Sequence, residues 1–150
     1  TNRLSKELGL LDQELSILDS EQSNIFWSRT KNLEVFKSLK SNLLRIVLPM
    51  SETLQVIQKL KNFEIKYFID WGGGLIWASF DQLNTKILSE IKDIVKKHQG
   101  YMTLIKVEED LKASADIFTI DPIKYKISEK IKRSFDPKRI FNPGKMYTGI

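Results

Sequence analysis

The chain has 150 residues, 41% hydrophobic and 29% charged, with a net charge of +5; that suffices for one ordinary domain with a real core, and the balance is that of a folded globular chain. The absence of cysteine excludes disulfides, thiolate catalysis and cysteine metal sites, and the one histidine, His98, leaves almost no material for a metal site or a Ser-His-Asp arrangement. No stretch approaches the ~20 apolar residues of a membrane span, and lysines spread among acids make the positive charge read as solvated faces rather than a nucleic-acid footprint.

Leu4, Leu8, Leu11, Leu15 and Leu18 fall on one face of a first helix, widened by Leu10 and Ile17, and that face requires a cover. A second helix is predicted over about 21–36 with Ser20 as its N-cap and Phe26 and Trp27 in the core. The apolar run Leu43 to Leu48, ended by Pro49, reads as a strand buried on both faces. Ser51 then caps a helix over about 52–61, with Leu54, Ile57 and Leu60 or Lys61 inward. Ile65, Tyr67, Ile69 and Trp71 alternate, Gly72-Gly73-Gly74 follows, and a second alternating run reaches Phe80, which predicts a hairpin.

Leu83, Ile87, Leu88, Ile91, Ile94 and Val95 have helical spacing, and Gly100 marks that helix's end. Tyr101, Thr103, Ile105 and Val107 alternate as a fourth strand. A loop without clear period runs from about 108 to 121, and a last helix begins at Pro122 with Ile123, Ile127, Ile131 and Phe135 on one face, stopped at Asp136-Pro137. The order over 43–107 is strand, helix, strand, strand, helix, strand, so the fold class is α+β: a ferredoxin-like βαββαβ antiparallel sheet with added terminal helices. Residues 1–40 form a helical lead-in to a single domain that 108–150 closes.

Several residues could carry chemistry. Arg45 interrupts a buried strand and requires a partner: either an ion pair with Asp70 or an anionic ligand such as a carboxylate. Asp70-Trp71-Gly72-Gly73-Gly74 reads first as a turn with positive φ and second as a close approach to a ligand; no helix follows it, as a phosphate loop would require. His98 reads as a solvated helix-end residue, and Glu108-Glu109-Asp110 as a solvated run. The tail Ser134 to Tyr147 has two Asx-Pro turns around an apolar pair, a rigid ending that sets Lys145 beside the amide of Asn142.

Phe135-Asp136-Pro137 with Ile140-Phe141-Asn142-Pro143-Gly144-Lys145-Met146 resembles the C-terminal signature of FAD-linked oxidases of the vanillyl-alcohol oxidase type, and within them the FAD-binding subunits of glycolate oxidases. Phe26-Trp27, Leu44-Arg45-Ile46 and Asp70-Trp71-Gly72-Gly73 agree with it in order. The resemblance implies the cap portion of a two-part enzyme that oxidises small 2-hydroxy acids with FAD. The main FAD-binding domain, N-terminal and glycine-rich, has no counterpart here, so this chain is not expected to be active alone. Asn142, Gly144 and Lys145 are carried over as contacts to the cofactor, and Arg45, Asp70 and Trp71 as substrate or interface residues. Catalytic residues stay unassigned: related sequences have Gly-His where Gly100-Tyr101 stands. The resemblance also implies further oxidase subunits as partners and a cytoplasmic protein, peripheral to the inner membrane through them. The alternative is a non-catalytic basic module that binds RNA or docks a subunit through the leucine face, although the aromatic signature of RNA-recognition strands is absent.

Overall fold

The computed structural model describes residues 17–37, 42–108, 111, 117–119, 121–145 and 147, in two units, Thr1–Ser38 and Leu39–Ile150. Most of the leucine-rich first helix lies outside the described residues.

In the first unit Asp19, one residue before the expected cap, starts α1 (Ser20–Lys31). Gln22 N–H donates to Asp19 Oδ1 at 2.8 Å and Asp19 N–H donates back to Gln22 Oε1 at 3.1 Å, a reciprocal capping box. The helix is shorter than expected because Leu33 turns left-handed at φ 54°, leaving only a 3₁₀ turn over Glu34–Phe36. Phe26 and Trp27 are not core residues. Both are exposed, stacked edge-on at 5.4 Å, and no residue of α1 is buried.

The second unit contains β1 (Asn42–Val47), α2 (Thr53–Leu60), β2 (Lys66–Asp70), β3 (Leu75–Phe80), α3 (Thr85–Lys97), β4 (Tyr101–Lys106) and α4 (Pro122–Phe135). The strands form one antiparallel sheet in the order β2-β3-β1-β4. Two interleaved split β-α-β units produce this order, so the expected α+β class holds. Leu44 and Ile46 of β1, Ile76, Ala78 and Phe80 of β3, and Met102 and Leu104 of β4 share one face and pack on Val56, Ile57 and Leu60 of α2 and Leu88, Ile91 and Val95 of α3.

Three local expectations change. Leu54 points outward, 71% exposed, and Val56 takes the inward place. A 3₁₀ turn over Met50–Glu52 leads into α2, so Ser51 lies within it instead of capping; the Thr53 hydroxyl donates to the Gly73 carbonyl and ties this entry to the hairpin. Within the 108–121 stretch, residues 117–119 pair with the sheet edge. Thr103 bridges Phe118, Leu104 N–H donates to Ile117 O at 2.8 Å, and Thr119 N–H donates to Met102 O at 3.0 Å.

Glycine is required for two different reasons. Gly72 and Gly73 have φ of 60° and 111°, and with Trp71 at 55° they form the hairpin turn, as the first reading of that run expected. Gly100 is needed for space: a Cβ there would lie 2.9 Å from Val95 Cγ1 and 3.1 Å from Val47 O, while Gln99 takes the left-handed position at φ 57°. Among the described residues no helix is long and apolar enough to cross a membrane.

Candidate functional site

Alternation sends every second residue of the strands to the face away from α2 and α3. The registers place Phe68, Trp77, Arg45 and Thr103 in one row across all four strands, with Asp70, Leu75, Val47 and Tyr101 in the next. Arg45 therefore stands mid-sheet, half-buried, with Trp77 on one side and a threonine hydroxyl on the other. The left-handed turn folds Trp71 back so that the Arg45 guanidinium lies 5.0 Å from its ring centroid, a cation–π contact. The expected Arg45–Asp70 ion pair is not formed. Asp70 is occupied locally, its carboxylate accepting from Trp71 N–H at 2.7 Å as the cap of that turn. Among the described residues no carboxylate pairs with Arg45.

Tyr101, where the resemblance led to the expectation of a histidine, is engaged twice by Lys124: the ammonium donates to the phenol oxygen at 2.7 Å and lies 4.3 Å from the ring centroid. Both residues line a pocket of about 490 Å³, with Lys92, Lys96, Phe118 and Asp121 among its other walls.

The tail is organised by Asp136, which the sequence marks as a helix stop and as the first of two Asx-Pro turns. The residue is 7% exposed, and its carboxylate accepts from Ile140 N–H at 2.9 Å, from Phe141 N–H at 3.0 Å and from Lys132 Nζ at 2.7 Å. Lys132 also donates to Phe141 O at 2.5 Å. One ion pair thus fastens the end of α4 to the turn beyond it. The signal was present as a lysine four residues before an Asp-Pro turn. The Lys132 hydrogen bond holds the Asp136 carboxyl at about 2 against its usual 3.8; the two backbone N–H groups act the same way, and burial opposes them.

A depressed carboxyl pKa adds stability that is complete above the ordinary value and lost as pH falls through the depressed one. The tail is therefore expected to loosen between about pH 4 and pH 2. NMR should detect this as loss of the downfield shift and exchange protection of the Ile140 and Phe141 amides in that window, with no change between roughly pH 5 and 8. Amides that fail to titrate below pH 4 would contradict the clasp.

Asn142, Gly144 and Lys145 come together in one exposed turn, closed by Lys145 N–H donating to Asn142 O at 3.2 Å, with Asn142 and Gly144 left-handed at φ 46° and 69°. Tyr147 then returns to Phe118 and Tyr125, both at 6.0 Å between ring centroids. No hydrogen bond, ion pair or ring contact among the described residues joins this turn to Arg45, Asp70 and Trp71.

The fit to FAD is partial. An exposed amide and an ammonium can touch a flavin edge, but a Cβ on Gly144 would meet nothing within 4 Å, so the turn is no cradle. The three-glycine turn leads into β3 rather than a helix, so it lacks the helix N-terminus that binds a pyrophosphate.

His98 contradicts its reading as a solvated residue. It is 6% exposed, with Nδ1 at 2.6 Å from Glu52 Oε2 and Nε2 at 2.7 Å from Lys59 Nζ. An ammonium only donates, so Nε2 accepts and the ring proton sits on Nδ1, facing the carboxylate. The ring joins the C-terminal end of α3 to both ends of the α2 region.

Comparison with known proteins follows the tail. Residues 118–146 match the family described as FAD linked oxidases, C-terminal domain. Over 133 residues, 87% of this chain, the sequence is 28% identical to the glycolate oxidase subunit GlcE of Escherichia coli (strain K12). The match covers 33% of that relative, so the chain spans about a third of its length. No solved structure matches. The chain resembles the C-terminal portion of FAD-linked oxidases, with a glycolate oxidase subunit among its relatives, as its tail signature indicated.

Proposed function

We propose that this chain is the substrate-side domain of an FAD-dependent 2-hydroxy-acid oxidase or dehydrogenase of the glycolate type, and that the main FAD-binding domain lies outside these residues. The observation that carries the reading is Arg45: a half-buried guanidinium, mid-sheet, oriented by Trp71 and paired with no carboxylate among the described residues. Such a group suits the carboxylate of a small 2-hydroxy acid, which it can hold by two parallel hydrogen bonds. Bound FAD would accept the hydride from the substrate's hydroxyl-bearing carbon. On this reading Arg45 fixes the substrate, Trp71 and Trp77 exclude water around it, Asp70 holds the turn that carries Trp71, and Asn142, Gly144 and Lys145 contact the flavin edge.

Further oxidase subunits complete the assembly, in a cytoplasmic protein that reaches the membrane only through them. Mixing the purified chain with FAD and passing it through gel filtration tests the division of labour. The chain is expected to emerge colourless, the flavin trailing; a yellow chain retaining stoichiometric FAD would refute the view that its main site lies elsewhere.

A further inference from the structure

We propose that the exposed apolar stripe of α4 is the surface on which the flavin-holding part of the oxidase docks. α4 wears its polarity reversed. Ile123, Ile127, Ile131 and Phe135 recur every fourth residue and run from 52% exposed at Ile127 to 85% at Phe135, while the half-buried positions are Tyr125, Ser128, Glu129 and Lys132. A surface helix ordinarily turns its apolar side to its own core. Ile140 and Phe141, also exposed, extend the apolar surface into the tail. Together these side chains expose on the order of several hundred Å², the size at which a patch marks an interface.

Charge and shape select the occupant. Lys124, Lys126, Lys130 and Arg133 lie along the same helix and Lys138 and Arg139 follow it, with Glu129 already paired to Arg133 at 2.7 Å. A second copy would bring this cationic surface against itself. A lipid surface suits a helix face whose backbone is internally satisfied, but here the surface continues into a turn with left-handed Arg139 and Asn142, held rigid by Asp136. A fixed, irregular apolar surface suits a folded protein partner. The segment matched by the oxidase family, 118–146, contains the whole surface, and two-thirds of the E. coli relative has no counterpart in this chain. The inference rests on the oxidase reading and names which surface mates.

The chain lacks cysteine, so a single introduced thiol reports on the site. The test compares alkylation of the Ile127→Cys variant in the free chain and in a chimera where the chain replaces the matched third of the E. coli relative, with Leu54→Cys as the exposed control and peptide mass spectrometry as the readout. Labelling of Ile127→Cys is expected to slow at least tenfold in the FAD-loaded chimera and that of Leu54→Cys to stay unchanged. Equal rates in both settings overturn the proposal. So does protection in the free chain alone, which means self-association, or protection only with phosphatidylglycerol vesicles, which means a membrane. A chimera that neither protects the thiol nor retains FAD overturns it as well. Adding glycolate, and then larger 2-hydroxy acids, to the same sample separates the two claims: flavin bleaching without protection sinks the docking surface alone, and protection without bleaching by any of them sinks the substrate reading alone.

Discussion

Arg45→Ala, placed in the FAD-loaded chimera, is expected to lower kcat/KM for glycolate by about 30- to 5,000-fold, the equivalent of the roughly 2–5 kcal/mol lost when one partner of a desolvated charge pair is truncated. The loss should appear mostly in KM if Arg45 binds ground state and transition state alike, and in kcat if it orients the hydroxyl-bearing carbon toward the flavin. Arg45→Lys should recover only part of it, because an ammonium keeps the charge but loses the planar fork. The fold should survive, since Arg45 lies on the face opposite the main core and its observed ring partner, Trp71, is exposed. An Arg45→Ala chimera with unchanged kinetics would remove the residue from the substrate site.

The second large effect concerns stability. His98→Ala is expected to cost about 2–3 kcal/mol, because it leaves Glu52 and Lys59 without the ring that satisfies both and removes buried volume. For a chain of this size the melting temperature should fall by roughly 5–10 °C. Glu52→Gln keeps an acceptor for Nδ1–H and should cost less than about 1 kcal/mol. Thermal unfolding followed by circular dichroism decides the matter. A His98→Ala shift within about 0.5 kcal/mol, the usual scatter of surface substitutions, would restore the solvated reading.

That contrast marks where sequence reasoning stops. Periodicity sufficed for the βαββαβ order because the apolar pattern of each element lies within its own short span, as Leu44 and Ile46 or Leu88, Ile91 and Val95 show in the core. It failed wherever a partner distant in sequence decides the outcome. His98 looked like a helix-end cation until Glu52, 46 residues earlier, supplied a carboxylate. Leu54 looked inward because its spacing fits as well as that of Val56, and only the sheet's position discriminates them. In β4 the alternation was visible but not its phase: Met102 and Leu104 face the core, while Tyr101 and Thr103 share the face of Arg45.

The candidate site divides the same way. Arg45 stood out by chemistry, a charge inside an apolar run, and the glycine turn by composition. What neither could reveal is that the turn returns Trp71 over the guanidinium and keeps Asp70 for itself, replacing the expected ion pair by a cation–π contact. In the tail the motif was legible but its keystone was not, since Asp136 works through Lys132 one helical turn back.

The most direct test of the account is an anaerobic titration of the FAD-loaded chimera with glycolate, followed by flavin absorbance. The account predicts stoichiometric bleaching that weakens sharply in Arg45→Ala. A chimera that holds FAD yet stays fully oxidised with glycolate and with larger 2-hydroxy acids would contradict it.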